Sequence, residues 1–305
     1  IALNREYTAM ASDVILVLNC GSSSIKFALF DAATIPMPRQ PLWSGKVQGI
    51  GGPTPTFDEA GQPPQPITLD TEHPNTAALA LIRERVLKRL QGQRPCAVAH
   101  RVVHGGHQYQ HSVRITPEVL RALEQLNSLA PLHQPHNLAG IRAFTAAFPE
   151  LPQVACFDTA FHATLPREES HYALPQTLAD QGVRRYGFHG LSYQSIMGTL
   201  QSCSARAHGR TLMAHLGNGA SLCATLQGRS QATTMGFSAL DGLVMGTRCG
   251  SIDPGVLLYL LEQGWDHDRI QALLYRQSGL LGVSGIAAEI RTVTIRSDSV
   301  RLYIT

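Results

Sequence analysis

The stretch LVLNCGSSSIKFALF, residues 16–30, decides the fold class that the sequence predicts. A short apolar, β-branched run over residues 14–18 predicts a strand, and the polar turn NCGSSS follows it directly. A second apolar run over residues 25–30 predicts a returning strand. Together they predict a β-hairpin whose tip is made of small polar residues and a glycine.

A second stretch, LMAHLGNGASLCATL at residues 212–226, has the same order of strand, glycine turn and strand. Gly21 and Gly217 occupy matching places when the two stretches are aligned without gaps. Chance is one explanation of a match this short. The other is that the chain holds two related domains, each presenting a hairpin tip to a shared cleft.

Strand and helix signals alternate along the chain, which is typical of an α/β protein. The predicted elements are loops and edge hairpins over 36–66, helices over 76–90, 117–126 and 137–148, and strands over 153–157, 211–216 and 221–226. Thr116 is predicted to cap the second helix, with Pro117 at its first position. The segment after residue 157 is a predicted domain boundary.

The composition and charge of the chain exclude several classes of protein. The 305 residues carry 25 Lys and Arg against 22 Asp and Glu, a net charge of +3 that predicts no broad nucleic-acid-binding surface. No apolar run reaches the roughly 18–20 residues of a membrane span. The six cysteines contain no C-x-x-C pair and indicate reduced thiols in a cytoplasmic enzyme, not a disulfide scaffold or a metal site.

The turn between Asn19 and Lys26 has the composition of a phosphate-binding loop. Its serines, Ser22 and Ser24 among them, offer hydroxyl donors beside free backbone N–H groups, and Lys26 adds a positive charge. The Walker pattern G-x-x-x-x-G-K-[ST] does not occur there. A plain polar hairpin is the alternative for this segment.

Two arginines stand in glycine-rich segments, where surface ion pairs are uncommon. Arg101 lies in AHRVVHGG directly after an apolar run, and Arg248 lies between glycines in MGTRCG. Guanidinium groups in such corners suit bidentate contacts with carboxylate or phosphate oxygens. The alternative is that each arginine only ties loop carbonyl groups together.

Histidines and one aspartate supply the remaining candidates for chemistry. The thirteen histidines include no H-E-x-x-H or Cys/His ligand spacing, so no histidine-based metal site is predicted. His189 in GFHG and His215 in AHLGN are predicted at loop tips, where each can donate to a developing negative charge or serve a structural role. Asp158 in CFDTAFH ends a predicted strand, a common place for active-site carboxylates, and capping of the next helix is its alternative role.

Seven segments in order, taken together, closely resemble the acetate kinase family of short-chain carboxylate kinases. They are NCGSSSIKF, HRVVHGG, APLHQPHN, FDTAFH, RRYGFHG, HLGNGAS and MGTRCG, and the similarity extends over residues 14–285. The resemblance implies the α/β fold of the acetate and sugar kinase, heat-shock protein and actin (ASKHA) superfamily. Two duplicated actin-like, ribonuclease H-like domains, over 10–160 and 161–305, would flank an active-site cleft.

The resemblance also implies a reaction. It is the reversible transfer of the γ-phosphoryl group of ATP to acetate, giving acetyl phosphate and ADP by direct in-line transfer with Mg (or Mn). The implied partners are small molecules, with no nucleic acid and no membrane, and the implied assembly is a cytoplasmic homodimer.

Where the motifs match, the resemblance implies roles for individual residues. The catalytic residues would be Asp158, Arg101, Arg248 and His189. The carboxylate substrate would contact Arg101, Val103 and Leu132. The nucleotide and its phosphates would contact Ser22, Ser24, Lys26, His133, His215, Leu216, Gly217, Asn218 and Gly219. Asn19 would lie near the metal.

The chain departs from the family pattern at two places that bear on function. Ala239 stands where the family usually has a proline beside the pocket for the acyl methyl group, so a propionate or butyrate kinase is one alternative. The family's final segment, with a second adenosine-binding stretch and a magnesium-binding glutamate, is not recognisable, so the chain is expected to be curtailed and its second domain incomplete. An inactive, non-catalytic nucleotide-binding module is therefore the alternative from another class.

Overall fold

The computed structural model of the chain describes residues 13–131 and 133–289. These residues divide into two compact units. The first holds the described residues up to Gly105 together with His111–Phe157, and the second holds Gly106–Gln110 and the described residues from Asp158 onward. The domain limits of 10–160 and 161–305 stay a prediction from the sequence.

An eight-stranded mixed sheet forms the described part of the first unit, in the order β5-β4-β3-β2-β1-β6-β8-β7. Its strands are β1 Val14–Cys20, β2 Ser24–Asp31, β3 Trp43–Gln48, β4 Thr56–Glu59, β5 Gln65–Pro66, β6 Ala97–Val102, β7 Val113–Arg114 and β8 Gln153–Phe157. Strands β1 to β5 pair antiparallel, as the predicted hairpins require, whereas β6 pairs parallel with both β1 and β8. Its α-helices are α1 Pro74–Arg89, α2 Pro117–Glu124 and α3 Gln134–Ala147.

The core of the first unit lies between this sheet and helices α1 and α3. Alternate residues of β1, such as Leu16 and Leu18, are fully buried and pack with Ile82 of α1 and Phe144 of α3. Burial of each such side chain stabilises the fold by about 1.5–3 kcal/mol. The alternating pattern of β1 therefore fixes which face of the hairpin turns inward.

Proline sets the beginnings of the helices. Helix α2 begins at Pro117, and its N-cap Thr116 accepts a hydrogen bond from the Val119 N–H, as predicted. Helix α1 begins at Pro74 and α3 at Gln134, both with a proline in the first turn and both earlier than predicted. A proline in the first turn lacks only an N–H that has no helical partner there, so it extends each helix toward its N-terminus.

Among the described residues, no helix is long and apolar enough to cross a membrane.

A three-stranded antiparallel sheet, in the order β11-β10-β9, lies in the second unit. The strands are β9 Arg210–Leu216, β10 Ala220–Leu226 and β11 Arg229–Thr233. The helices are α4 Arg167–Ser170, α5 Gln176–Asp180, α6 Gly190–Cys203, α7 Pro254–Glu262, α8 His267–Ala272 and α9 Gly279–Ser284. Tyr193 and Met197 of α6 pack with Met213 and Cys223 of the sheet to form a buried cluster.

The two hairpins share a design but differ in register. In the first, Cys20 pairs with Ile25, whereas in the second Leu216 pairs with Ala220, so the second loop is shorter by one residue. One residue of offset turns a strand over, because side chains alternate between the faces of a sheet. Cys20 is accordingly buried, whereas Leu216, its counterpart in the ungapped comparison, is 76% exposed.

Candidate active site

The tip of the β1–β2 hairpin carries the predicted phosphate-binding turn of the first unit. The Gly21 N–H donates to the Ser24 carbonyl oxygen over 2.9 Å, and a side chain at position 21 would meet that oxygen at 3.1 Å. Ser22 and Lys26 are exposed. The turn therefore presents a hydroxyl group and an ammonium group to solvent, where an anionic ligand can reach them.

Asn19 and Arg101 are brought together by the parallel pairing of β1 with β6. Leu18 lies opposite His100 in this pairing, so the residues that follow them, Asn19 and Arg101, are also neighbours. Arg101 Nη1 donates to Asn19 Oδ1 over 3.0 Å. The guanidinium is thereby held at the carboxyl ends of parallel strands, the edge at which open α/β sheets bind ligands.

An amide side chain joins the segment after β6 to the hairpin. Asn137 Oδ1 accepts from the Val103 N–H over 2.9 Å, and Asn137 Nδ2 donates to the Cys20 carbonyl over 2.6 Å. Val103 is buried beside this link, and His133 directly precedes α3. The predicted substrate residue Leu132 lies outside the described residues.

Two buried histidines flank Arg101 in the sequence and carry no charge at neutral pH. Burial lowers the pKa of His100 to about 4, against a smaller opposing effect of its hydrogen bond with Gln153. Burial likewise lowers the pKa of His104 to about 4. The positive charge of this part of the first unit therefore comes from the guanidinium of Arg101.

In the second unit, several side chains around His189 are joined by hydrogen bonds and ring stacking. This residue precedes α6 with φ 59°, a left-handed conformation that is uncommon for a side-chain-bearing residue. Its Nδ1 shares a hydrogen bond of 2.8 Å with Ser221 Oγ, and its ring stacks on that of His215 with 4.0 Å between centroids. His215 Nδ1 shares a hydrogen bond of 3.0 Å with Ser192 Oγ. Both imidazoles are thus fixed in orientation.

Gly219, at the tip of the β9–β10 hairpin, lies next to His189 and Arg248. A methyl group at Gly219 would lie 3.4 Å from His189 Nε2 and 3.5 Å from Arg248 Nη1. Arg248 Nη1 also donates to the Ala239 carbonyl over 3.0 Å, which holds the guanidinium in place. The absence of a side chain at Gly219 leaves space in front of two nitrogens that can face an anion.

Asp158 directly follows β8 and is connected to the start of α6. It is 2% exposed, and its carbonyl oxygen accepts from the Gly190 N–H over 2.8 Å. A side chain at position 190 would collide with that carbonyl and with Phe161 Cβ. Thr159, not Asp158, is the cap residue of the short 3-10 helix that follows. The backbone of Asp158 and the residue after His189 are therefore held together.

Comparison with known proteins identifies the family. The model of the acetokinase family matches residues 14–300. An acetate kinase of Rhodopseudomonas palustris is 50% identical over 293 residues, which cover 94% of this chain and 73% of that protein. The chain belongs to the acetokinase family.

Solved structures of acetokinase relatives have the same fold. A propionate kinase from Francisella tularensis superposes with a TM-score of 0.86 at 37% identity, covering 95% of this chain and 75% of that one. An acetate kinase from Porphyromonas gingivalis gives a TM-score of 0.79 at 38% identity, covering 93% and 73%. The predicted α/β ASKHA fold of two duplicated domains and the predicted family are confirmed.

The next question for this acetokinase is which groups could hold the metal ion. The described residues contain no group of three or more His, Cys, Asp or Glu side chains that could hold an ion. Asn19 Oδ1, the predicted contact, already accepts from the Arg101 guanidinium, and a cation next to it repels a second cation. Magnesium is commonly held by substrate phosphates with few protein ligands, so we treat the ion as part of the nucleotide substrate. A role of Asn19 near the metal stays a prediction.

Sequence reasoning missed Ser221 and Tyr193, which hold His189 of this acetokinase. Tyr193 O–H lies 2.6 Å from Ser221 Oγ and 2.8 Å from the Ser221 carbonyl, and burial raises the pKa of Tyr193, which keeps its hydroxyl protonated. The ungapped hairpin comparison offered a signal. It places Ser221 against the buried Ile25, and a hydroxyl at an apolar, inward-facing position needs a polar partner.

Proposed function

We propose that the chain catalyses the reversible transfer of the γ-phosphoryl group of ATP to acetate, giving acetyl phosphate and ADP. The observation that carries the proposal is the placement of Arg248 and His189 Nε2 beside Gly219, a residue that adds no side chain to this space. A guanidinium and an imidazole fixed beforehand are the groups that stabilise charge spread over phosphoryl oxygens.

In the proposed reaction, a carboxylate oxygen of acetate attacks the γ-phosphorus in line with the bond to the β,γ-bridging oxygen. That bond breaks, and its electron pair leaves with ADP. The reaction brings two anions together, so fixed cationic groups lower its barrier. We assign Arg101 to the carboxylate, Arg248 and His189 to the transferring phosphoryl group, and Asp158 to orienting these groups.

We assign the nucleotide to the two hairpin tips and the residues beside them. The proposed contacts are Ser22, Ser24, Lys26, His133, His215, Leu216, Gly217, Asn218 and Gly219, with Val103 and Leu132 near the methyl group of the carboxylate. Exposed hydroxyl, ammonium and backbone N–H groups at such tips suit phosphate oxygens. The bound magnesium neutralises phosphate charge and enters with the ATP.

Propionate is the second candidate substrate, and one residue favours it. The Ala239 carbonyl accepts from the guanidinium of Arg248, so residue 239, which the family resemblance assigns to the pocket for the acyl methyl group, lies beside the proposed active-site arginine. The larger proline usual in the family would fill more of this space. The similarity to a propionate kinase agrees with this alternative.

A hydroxamate assay for acyl phosphate, run with acetate, propionate and butyrate in the presence of MgATP, tests the proposal. We expect Arg101→Ala and Arg248→Ala to lower turnover by at least ~10², about 2.7 kcal/mol of barrier, while the exposed control Arg276→Ala keeps it. Binding of ATP without acyl phosphate from any of the three acids would instead identify a non-catalytic nucleotide-binding module.

We also propose that the chain acts as a cytoplasmic homodimer, as the family resemblance implies. Light scattering on the purified protein measures its mass in solution. A mass of one chain at all concentrations would contradict the dimer. Fractionation of the cells that produce the protein tests the compartment.

A further inference from the structure

The parallel pairing of β1 with β6 ends before the two strands themselves end. The last pair is Leu18 with His100, although β1 continues to Cys20 and β6 to Val102. Continued in the same register, the ladder would join the Val103 N–H directly to the Cys20 carbonyl oxygen. A side chain takes the place of this bond, at the carboxyl ends of parallel strands, where open α/β sheets bind ligands.

The side-chain amide of Asn137 stands between these two backbone groups. Its Oδ1 accepts from the Val103 N–H over 2.9 Å, its Nδ2 donates to the Cys20 carbonyl over 2.6 Å, and the residue is 2% exposed. A side-chain amide has the donor and the acceptor of a peptide group, so it satisfies both strand ends without the direct N–H···O contact of about 2.9 Å. Asn137 therefore joins the two strand ends and keeps them apart.

Helix α3 fixes this amide through residues spaced three apart on one face of the helix. Gln134 is fully buried, and its side chain bonds the His104 N–H over 3.1 Å and the His104 carbonyl over 3.0 Å. A methyl group at Gly140 would meet Cys20 Sγ at 2.6 Å, so the glycine lets the helix approach the hairpin. Asn137 lies between these two contacts, which hold its amide in reach of both strand ends.

We propose that Asn137 is a positioning residue for the carboxylate substrate. It sets where the segment with Arg101 and Val103 lies relative to the phosphate-binding turn that follows Cys20. The inference rests on the proposed function, in which these two residues contact the carboxylate. Acetate is small and depends on few contacts, whereas the nucleotide has assigned contacts in both units, so a displaced segment weakens the carboxylate site most.

Steady-state kinetics of Asn137→Ala in the hydroxamate assay, with the acid that is turned over fastest, test the proposal. The variant leaves the assigned contacts of both substrates in place and removes only the link between the strand ends. We expect the KM for the acid to rise at least ~10-fold and the KM for MgATP to stay within ~3-fold. KM does not depend on the folded fraction of a sample, so a loss of stability alone leaves it unchanged.

Gln153→Ala is the matched control in the same unit. Gln153 is also a buried amide, and it bonds His100 Nε2 and Thr145 Oγ1, each over 2.7 Å. It lies opposite Val98, near the beginning of β6 and away from the carboxyl end of that strand. We expect Gln153→Ala to be destabilised in urea unfolding, as Asn137→Ala is, and to keep both KM values.

An unchanged KM for the acid in Asn137→Ala, or an equal rise in Gln153→Ala, would overturn the inference and leave the proposed function intact. If Asn137→Ala does not fold, Asn137→Asp replaces it. The isosteric side chain keeps an acceptor for the Val103 N–H and puts an oxygen where the donor to the Cys20 carbonyl was, so the same rise is expected.

No acyl phosphate from the unmodified chain would refute the proposed function instead, and a binding measurement then decides the inference. The probe is acetate, titrated by NMR in the presence of MgADP. Acetate binding that is weaker in Asn137→Ala than in Gln153→Ala supports the positioning role. Equal binding by the two variants, or no binding by the unmodified chain, contradicts it.

Discussion

Replacing Ser221 with alanine tests whether turnover depends on the hydrogen bond that orients the His189 ring through Nδ1. Ser221 Oγ lies 2.8 Å from His189 Nδ1 and 2.6 Å from Tyr193 O–H. When Tyr193 donates to Ser221 Oγ and Ser221 donates to Nδ1, the neutral imidazole carries its proton on Nε2, the nitrogen that faces Gly219. Ser221→Ala removes this chain of hydrogen bonds, so the proton is no longer held on Nε2 and the ring loses one of the contacts that orient it.

The magnitude follows from the bond that is lost. A hydrogen bond between neutral groups contributes about 0.5–1.5 kcal/mol net, and that energy now favours the productive tautomer and orientation of His189. Its loss corresponds to about a two- to tenfold lower turnover, since about 1.4 kcal/mol is a factor of ten in rate. Tyr193 keeps the Ser221 carbonyl as an acceptor over 2.8 Å, so it is not left unpaired.

A matched control is available in the same sheet. Ser230 is also fully buried and lies 2.9 Å from Nδ1 of another buried histidine, His162, which has no assigned part in the reaction. We expect Ser221→Ala and Ser230→Ala each to lose about 1–3 kcal/mol of stability in urea unfolding, whereas only Ser221→Ala lowers turnover. We also expect the pH–rate profile to change in Ser221→Ala alone. Equal turnover in the two variants, or an unaltered profile in Ser221→Ala, would refute the reasoning.

Two further predictions concern stability. Burial lowers the pKa values of His100, His104 and His162 from 6.5 to about 4. Between these two pH values the unfolded chain binds protons that the folded chain does not. The free energy of unfolding therefore decreases as the pH falls from about 6.5 toward 4, by about 1.4 kcal/mol per pH unit for each imidazole. A urea midpoint that stays constant over this range would contradict it. Gly190→Ala places a methyl group against backbone and is expected to cost about 1–3 kcal/mol, whereas Gly198→Ala in the same helix meets nothing within 4 Å and is expected to stabilise by about 0.5–1 kcal/mol. Thermal unfolding of both variants checks the sign of each change.

Local sequence rules predicted the elements whose limits are set locally. Strand β8 has the predicted limits, and Thr116 caps α2 as expected, because apolar runs and N-cap chemistry depend only on neighbouring residues. The pairing of Asn19 with Arg101 was not predicted from these rules. Asn19 and Arg101 are 82 positions apart in the chain, and only the register of β1 against β6 makes them neighbours.

In the second hairpin, too, the turn could be predicted from neighbouring residues, whereas the orientation of a strand could not. The glycine turn of β9–β10 was predicted, but the inward-facing residues of β9 were not, because one residue fewer in the loop exchanges the two faces of that strand. Leu216 consequently lies at the exposed tip and not in the core. Loop length is set by how the whole strand packs, which a comparison without gaps does not measure.

His189 is the residue at which local preference and function diverge most. A left-handed conformation costs a residue with a Cβ roughly 1–2 kcal/mol relative to glycine, and position 189 carries a histidine nonetheless. Three contacts hold it there: the hydrogen bond to Ser221, the stacking on His215, and the close approach of Gly190 to the Asp158 carbonyl. Each of these contacts orients the ring or its backbone, and together they point Nε2 at Gly219 beside Arg248. Strain at a position that surrounding contacts fix so closely is typical of functional sites, where placement of a side chain outweighs its local stability.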